Sequence, residues 1–361
     1  MHEVYVLNRN FELIGIVDAY VSLIWRPSYS DIGDFELYLG AENAAVELLK
    51  ENHYLIQARD IESDEAGKIK YKKVMMIKNC TITTDVENGD FLTVTGRELK
   101  FILHQRLIWA QTIINGTAEQ AIRQYITENA INPTDKNRII PGLELASPAG
   151  FTDEISKQAT AKPLDETIVE ICNTYGFGWD VYIYDNKMIF ELYKGIDRSY
   201  GQTERPYVVF SEDFNNLYNS EYQKNTESFA NTALIGGEGE GLERKYATVG
   251  NENTGLDRFE IFVEASSVKQ NGGNEAEQMS DSEYTAALQQ NGREKLSEYA
   301  ITEAFTGEAD TDTGFIYEKD FFLGDIVTVI NKYGITKNAR VISAIESVDD
   351  TGAKLIPQFN L

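Results

Sequence analysis

The chain has 361 residues, of which 33 are Lys or Arg and 58 are Asp or Glu, so its formal net charge is −25. This excess of acid argues against a nucleic-acid-binding surface, because such binding depends on Lys and Arg side chains that neutralise phosphates. We find no apolar run long enough for a membrane span and no charged-then-apolar leader, so synthesis in a cytoplasm without stable membrane insertion is expected. A hydrophobic share of 42% allows packed cores, and the length favours two or more of them.

Residues 1–105 have the pattern of a first β-barrel domain. Short runs rich in Val, Ile, Tyr and Phe are bounded by turn residues, and Phe35, Leu37 and Leu39 show the alternation of a half-buried strand. A short helix is expected at residues 41–51. Many strands with so little helix indicate a small barrel or sandwich, whose edges need closure or a partner.

Residues 106–225 are predicted to form an α+β insert domain. Thr117 and Gln120 have the spacing of a capping box, which indicates a helix start, and Gly176 is placed as the C-terminal cap of a later helix. Prolines interrupt residues 128–160, which are expected to be an irregular connection. The regular elements predicted here are two helices and one hairpin, at about residues 117–128, 163–175 and 178–193.

Residues 226–361 are predicted to form a second β-barrel domain with a helical insertion at about 267–309. Ser280 and Glu283 make another capping box, and the helix that they start is expected to run towards Phe305. The fold class is therefore mainly β with α+β insertions: two β-barrel-like domains, a small α+β module and a helical insertion. Strands of the last domain are expected at residues 258–264, 314–318, 326–331, 337–348 and 353–359.

A glycine-rich run, Gly236 to Gly241, lies between two strand-like stretches and contains Glu238 and Glu240. Glycine is favoured where the chain takes a positive φ or where another backbone approaches closely, so this run is predicted to be a hairpin tip or bulge. The two glutamates could also ligate a cation. Hard cations need a full shell of oxygen ligands, however, and this favours the packing interpretation.

Catalytic chemistry has few candidate residues in this sequence. The histidines, His2, His53 and His104, are not spaced as a metal pair, and Cys80 and Cys172 are too few for a cysteine zinc site. Each cysteine is expected to be a small core residue. Nucleophile-elbow, zinc-helix and phosphate-loop motifs do not occur. We therefore predict a protein that is not an enzyme and has no catalytic, cofactor-binding or metal-binding residues.

Acidic pairs and aromatic residues leave two alternatives open. Asp310 to Gly314 begins like a calcium loop, but Phe321 occupies the twelfth position where an acid is needed, so a solvated turn is favoured. Glu238 and Glu240, or the acids of residues 310–314, could serve a wall-directed hydrolase. An aromatic set could stack on sugars, although alternation along two strands first indicates core packing. That set comprises Trp179, Tyr182, Tyr184 and Tyr193.

Several short phrases follow one another in order over nearly the whole chain. They are Trp25-Arg26-Pro27-Ser28-Tyr29 with Gly33-Asp34-Phe35, Tyr175-Gly176-Phe177-Gly178-Trp179, Tyr193-Lys194-Gly195-Ile196-Asp197-Arg198, Ala233-Leu234-Ile235-Gly236-Gly237-Glu238-Gly239-Glu240-Gly241, Gly255-Leu256-Asp257-Arg258 and Phe322-Leu323-Gly324-Asp325-Ile326-Val327-Thr328-Val329. Together they resemble the phage tail-hub family, siphophage tail proteins whose relatives form the baseplate hub of contractile tails and related injection machines.

The resemblance implies a homotrimeric ring in which two similar barrels per subunit face a hexameric tail tube. Its expected partners are the tail tube protein, distal tail or baseplate proteins, the tape measure protein and a tip or spike protein. DNA would pass through the channel without specific binding, and an acidic wall suits such passage. The expected location is the virion tail, or a phage-like particle, after synthesis in the bacterial host cytoplasm.

The resemblance also implies that the chain is the hub alone, with no cofactor and with any cell-wall enzyme on another polypeptide. The alternative is a cell-wall-directed hydrolase or a carbohydrate-binding tail-tip protein. The candidate structural or interface residues are Gly236, Gly237, Gly239, Gly241, Gly324 and Asp325.

Overall fold

The computed structural model describes residues 3–51, 53–87, 89–271, 279–309 and 314–361. Most of the regular structure in these ranges is antiparallel strand, so the predicted mainly β class is confirmed. The predicted calcium-like turn lies largely outside the described residues, because residues 310–313 are not among them.

The first part of the chain forms strands and one short helix. Phe35, Leu37 and Leu39 are buried while their neighbours are not, which confirms the predicted alternation. The helix lies within the range predicted for it. The elements are β1 (Val4–Leu7), β2 (Leu13–Val17), β3 (Ser22–Arg26), β4 (Asp34–Gly40), α1 (Asn43–Leu49), β5 (Tyr54–Gln57), β6 (Ile61–Ser63), β7 (Ile69–Tyr71), β8 (Met75–Asp85) and β9 (Gly89–Glu98).

The middle part contains the two predicted helices and the predicted hairpin. The Thr117 hydroxyl accepts a hydrogen bond from the Gln120 backbone amide at 3.2 Å, and the Gln120 side-chain oxygen accepts one from the Thr117 backbone amide at 3.0 Å, as a capping box requires. Gly176 ends the later helix with a φ of 67°. The elements are β10 (Thr112–Thr117), α2 (Ala118–Ile126), β11 (Leu143–Leu145), β12 (Glu154–Ala159), α3 (Leu164–Tyr175), β13 (Gly178–Tyr184) and β14 (Lys187–Tyr193).

The last part alternates between strands and one long helix. Ser280 and Glu283 form the predicted capping box at the start of that helix. The elements are β15 (Val209–Ser211), β16 (Leu217–Asn225), β17 (Thr232–Gly236), β18 (Tyr246–Val249), β19 (Glu260–Glu264), α4 (Asp281–Glu298), β20 (Thr302–Ala309), β21 (Ile326–Ile330), β22 (Thr336–Asp349) and β23 (Gly352–Asn360).

Three local predictions are wrong, and in the first two distant pairing overrides the local pattern. The helix does not run to Phe305; it ends at Glu298, and β20 pairs on its two sides with β16 and β23. Residues 128–160 are not simply irregular, since they contain β11 and β12, whose partners are β14 and β10. Residues 314–318 form no strand, and Tyr317 makes only an isolated bridge to Phe321.

One 13-stranded sheet unites the beginning and the end of the chain. Its order is β16-β20-β23-β22-β3-β4-β9-β8-β5-β1-β2, with β21 and β15 branching from β22. The antiparallel pairing of β22 with β3 joins the two halves, with Trp25 opposite Glu346. The separate closure of two barrels stays a prediction, as do the boundaries 1–105, 106–225 and 226–361.

Smaller sheets attach the remaining elements. A five-stranded sheet in the order β11-β14-β13-β7-β6 combines the predicted hairpin with two strands from the first 105 residues. The glycine-rich hairpin belongs to a three-stranded sheet, β18-β17-β19, which packs against α4. The middle of the chain is therefore fastened to the first part by backbone pairing.

An aromatic core lies under the C-terminal strands. Phe210 is fully buried, and the centroid of its ring lies 5.1 Å from that of Phe321 and 5.3 Å from that of Phe359. Phe305 of β20 packs on Phe359 at 6.3 Å. Aromatic pairs at these distances add to the burial of apolar area, so this core stabilises the strands that cover it.

Truncation of Phe359 to Ala should therefore be severe. We expect Phe359→Ala to lower the free energy of unfolding by about 3–5 kcal/mol, since it leaves a cavity among packed rings. The matched control is Phe214→Ala, because Phe214 is 63% exposed and surface changes usually stay within about 0.5 kcal/mol. Denaturant unfolding measures both, and equal losses for the two variants would contradict the assignment of this core.

Candidate functional site

Tyr29 lies in the loop between β3 and β4 and contacts three distant parts of the chain. Its amide donates to the carbonyl of Ile342 at 2.9 Å, and its carbonyl accepts from the amide of Trp179 at 3.2 Å. Its hydroxyl donates to the carbonyl of Gly176 at 3.0 Å. The residue is 1% exposed. We call this meeting point the Tyr29 junction, which comprises Tyr29, Gly176, Gly178, Gly195 and Gly324.

The glycines of the Tyr29 junction leave room for the tyrosine ring and for each other. A Cβ atom on Gly178 would lie 2.1 Å from Tyr29 Cε2, and one on Gly324 would lie 2.2 Å from the same atom. A Cβ on Gly195 would lie 1.9 Å from the carbonyl carbon of Gly324. Gly324 also has a φ of +90°. Both the spacing and the backbone therefore require glycine at Gly324.

Asp325 fixes the turn that contains Gly324. Its carboxylate is buried and accepts hydrogen bonds from the Ile196 amide at 2.9 Å, from Arg198 Nε at 2.7 Å and from the Phe322 amide at 3.0 Å. A charged, fully hydrogen-bonded group of this kind holds its neighbours in one geometry. Asp325 thus ties the segment after β14 to the segment before β21.

The buried side chains of Lys100 and Glu98 form hydrogen bonds to the backbone of the loop that contains Tyr29. Lys100 is fully buried, and its Nζ donates to the carbonyls of Ser28 and, at 3.0 Å, Asp31. Glu98 accepts from the Gly33 amide at 2.6 Å and lies 3.4 Å from Lys100 Nζ. Burial raises the pKa of Glu98, although the Lys100 ammonium acts in the opposite direction. The loop conformation is therefore set by side chains that local periodicity does not reveal.

A second buried acid lies beside the β3–β22 seam. Asp60 is 1% exposed, and neither of its carboxyl oxygens has a hydrogen-bond partner among the described residues. Arg59 Nε lies 3.9 Å from Asp60 Oδ1, but the Arg59 guanidinium forms its closer ion pair with the Glu346 carboxylate. Burial, and then the Glu318 carboxylate, raise the pKa of Asp60 well above its ordinary value. Folding therefore shifts the titration of this carboxyl towards its neutral form.

The glycine-rich hairpin is built by antiparallel pairing of β17 with β18, as predicted for its strands. A Cβ on Gly236 would lie 2.6 Å from an Arg244 guanidinium nitrogen, and a Cβ on Gly237 would lie 2.5 Å from the Tyr284 hydroxyl oxygen. Gly239 and Gly241 have φ values of +95° and +57°. Close approach thus explains the first two glycines, and backbone conformation the other two.

The structure brings the six candidates together in two groups, not one. Gly324 and Asp325 lie at the Tyr29 junction and its turn, whereas the four glycines Gly236, Gly237, Gly239 and Gly241 lie in or beside the three-stranded sheet. Near the second group, Glu238 is half-buried and accepts from the Gln270 amide at 3.2 Å, while Glu240 is exposed. The Glu238 carboxylate therefore holds the backbone at Gln270 in place.

A carbohydrate-binding face on Trp179 and Tyr184 is ruled out by burial. Trp179 is 0% exposed, and its indole nitrogen donates to the Ser30 carbonyl at 2.7 Å. Tyr184 donates to Asp64 at 2.6 Å, and the burial pattern of β13 places it on the opposite face of that strand. The tryptophan is a packing residue under the Tyr29 loop, as the core interpretation expected.

The histidines and cysteines of the described residues have local roles. The ring nitrogen Nδ1 of His53 lies 3.0 Å from the Leu48 carbonyl, and that of His104 lies 3.0 Å from Asp165. Cys172 is buried, as expected of a core residue, and Cys80 is half-buried. Within the described ranges, no group of three or more His, Cys, Asp or Glu is placed to hold a metal ion.

No helix in the described part of the chain combines the length and hydropathy needed to cross a membrane.

Sequence reasoning missed Tyr29, Lys100 and Arg244 as organising residues. A signal was present, because four of the phrases quoted above meet at the Tyr29 junction. These are the phrases beginning at Trp25, Tyr175, Tyr193 and Phe322. Their shared glycines and aromatic residues indicate one packed contact.

This arrangement is the fold of known phage tail proteins. The tail protein of Neisseria meningitidis MC58 is 14% identical with a TM-score of 0.58, and the match covers 100% of this chain and 96% of that chain. The 43 kDa tail protein of prophage MuSo2 from Shewanella oneidensis is 13% identical, with a TM-score of 0.58 and coverage of 99% and 98%. Prophage tail protein gp18 of Listeria monocytogenes EGD-e is 13% identical, with a TM-score of 0.52 and coverage of 99% and 94%.

The amino-acid sequence also identifies a family among tail proteins. Residues 3–359 match the family described as Siphovirus ReqiPepy6 Gp37-like protein, and the chain belongs to that family. This confirms the predicted resemblance to siphophage tail proteins. Among curated proteins, no sequence matches this chain.

Gly324→Ala tests the Tyr29 junction. The added methyl group would meet the Tyr29 ring in a backbone conformation that alanine disfavours, so we expect a loss of roughly 2–4 kcal/mol in unfolding free energy. Gly334→Ala is the control, because Gly334 has a similar φ of +78° but open space around its Cβ position; it should cost only about 1 kcal/mol. Chemical denaturation separates the two, and equal losses would show that contact with Tyr29 is unimportant.

The pH dependence of stability in Asp60→Asn tests the raised pKa of the buried Asp60 carboxyl. Because the folded-state pKa is raised, the wild type carries no penalty below the ordinary carboxyl pKa and loses stability as the pH rises towards the folded-state value. We expect Asp60→Asn to have a higher Tm than wild type at about pH 7, and the gain to shrink towards about pH 4. Exposed Asp257→Asn is the control. A lower Tm for Asp60→Asn at neutral pH would mean that Arg59 holds Asp60 charged.

Proposed function

We propose that this chain is a structural, non-catalytic subunit of a phage or phage-like tail. The strongest support is that the similarity to solved tail proteins extends over the whole chain. It extends over 100% of this chain and 96% of the Neisseria meningitidis tail protein, and the family match extends over residues 3–359. The whole described chain is thus accounted for by a tail-protein fold. The chain works without a cofactor, by holding other tail proteins in place.

The finer role is that of a homotrimeric hub that joins the hexameric tail tube to the tail tip or baseplate and lines the axial channel. The 13-stranded sheet supports it, because β2 and β16 end the strand order among the described residues. Unpaired edges favour pairing with another chain. On β2, Leu13 is 52% exposed and Ile16 48% exposed, so burial by a neighbour would be favourable.

Acidic charge fits a channel that DNA traverses. A net charge of −25 repels phosphates and so allows passage without specific binding. The proposed partners are the tail tube protein, distal tail or baseplate proteins, the tape measure protein and a tip or spike protein. The proposed location is the virion tail, or a phage-like particle, after synthesis in the host cytoplasm.

Two observations weigh against the alternative functions. Trp179 is buried and offers no sugar-stacking face. One carboxylate oxygen of Glu238 accepts a hydrogen bond from the Gln270 amide. A hydrolase that needs Glu238 and Glu240 as a free pair is therefore disfavoured. Incubation with peptidoglycan should accordingly give no cleavage that depends on these acids.

The oligomeric state tests the hub role. Size-exclusion chromatography with light scattering should give three times the chain mass of 40.7 kDa. A labelled chain in purified particles should lie at the tail end. A stable monomer at every concentration, together with particles that lack the chain at the tail axis, would contradict the proposal.

A further inference from the structure

An exposed tryptophan lies on the segment that leads into β10. Trp109 is 60% exposed and Leu107 is 43% exposed, whereas the residue between them, Ile108, is fully buried. Ile108 anchors the segment by exchanging backbone hydrogen bonds with Lys162 and Ala161. Tryptophan and arginine are enriched among the residues that contribute most of the binding energy of protein interfaces.

Two arginines flank this tryptophan. The Arg138 guanidinium carbon lies 4.1 Å from the Trp109 ring centroid, and Arg138 donates to the Leu107 carbonyl. Arg106 donates to the carbonyls of Arg138 and Ile139. Partial burial, and then the Arg106 charge, lower the pKa of Arg138, while Asp135 has a smaller opposite effect. Neither guanidinium forms an ion pair within the described ranges. We call Arg106, Leu107, Trp109 and Arg138 the Trp109 patch.

The Trp109 patch is therefore a positive, aromatic spot on a chain of net charge −25. The Arg106 guanidinium already donates from its three nitrogens to the carbonyls of Gln105, Arg138 and Ile139, so what it adds for a partner is its positive charge. The Arg138 guanidinium favours a carboxylate, and the Trp109 indole favours an apolar side chain. A complementary surface carries both kinds of group side by side.

The chain itself presents such a surface at the tip of the glycine-rich hairpin. Leu242 is 106% exposed and lies between the exposed acids Glu240 and Glu243. Neither acid forms an ion pair with another described residue. Gly241 begins a tight 3-10 turn with a φ of +57°. We call residues 240–243 the Leu242 turn.

A second turn has nearly the same sequence and conformation. Gly255 begins a 3-10 turn with a φ of +59°, and Leu256 is 96% exposed, but a single acid, Asp257, adjoins that leucine. This second turn has the same backbone conformation as the Leu242 turn and a similarly exposed leucine. It differs in having one flanking carboxylate instead of two. The chain thus supplies an internal control.

We propose that the Leu242 turn of one subunit docks on the Trp109 patch of a second copy of this chain. Glu240 and Glu243 pair with Arg106 and Arg138, and Leu242 packs on the Trp109 ring. Both surfaces are exposed in the single chain, so both are open to contact by a partner copy. The contact joins two different surfaces, and such a heterologous contact closes into a ring when the rotation between subunits closes. The inference rests on the proposed assembly of the chain with copies of itself.

Sedimentation of the full chain over a dilution series tests this contact. Leu242→Ser and Trp109→Ala should each weaken self-association roughly tenfold or more, as interface anchors do. Leu256→Ser and Asp257→Arg, on the second turn, should leave it unchanged. Glu243→Arg and Arg138→Glu should each weaken it, and the double variant should recover much of the loss. Wild-type association should also weaken as salt is raised. Circular dichroism checks that each variant is folded.

The outcomes separate this contact from the hub role. Wild-type trimers that persist in folded Leu242→Ser and Trp109→Ala overturn the docking contact and leave the hub proposal standing. Equal weakening by Leu256→Ser also overturns it, since any exposed leucine would then suffice. A wild-type chain that stays monomeric at every concentration overturns the docking contact, and it overturns the hub role as well when purified particles lack the chain at the tail axis. Loss confined to the Trp109 patch and the Leu242 turn, with charge-swap recovery, supports the contact.

Discussion

The Tyr29 ring packs directly against Gly178 and Gly324, Gly195 packs in turn against the Gly324 backbone, and the other parts of the chain are positioned by this contact. Gly178 follows α3, Gly195 follows β14 and Gly324 precedes β21, and none of them has room for a side chain. The tyrosine ring fills the space that side chains at Gly178 and Gly324 would otherwise occupy, and the Gly324 carbonyl group fills that space at Gly195, so the three backbones can converge. The same residue bonds to Ile342 of β22, so one side chain sets the relative positions of the first strands, the insert and the C-terminal strands.

Buried ion pairs reinforce this junction. Asp325 pairs with Arg198 at 2.7 Å, and Lys73 of the first part pairs with Asp180 of β13 at 2.5 Å, both largely out of water. Removing one partner of such a pair leaves an uncompensated buried charge, so these contacts favour one arrangement of the parts. A rigid frame of this kind suits a tail subunit, because it holds sheet edges and exposed turns at fixed positions for neighbouring chains.

Local signals predicted much of the fold, and contacts between distant residues explain the rest. The capping boxes at Thr117 and Ser280 were recognisable because all their atoms come from four consecutive residues. The pairing of β22 with β3 was not, because its partners are hundreds of residues apart and no periodicity encodes them. For Gly237 the sequence indicated close packing, but only the structure identifies the Tyr284 hydroxyl as the neighbour. The candidate glycines were thus found one by one, without their separation into two groups.

We propose that the chain is a rigid structural subunit arranged around the tail axis. A reconstruction of the assembled tail tip tests it most directly, since it shows both copy number and position. We expect three copies in a ring around the channel, each with its Tyr29 junction intact and its sheet edges covered by neighbours. A single copy, or copies on the outside of the tail away from the axis, would contradict it.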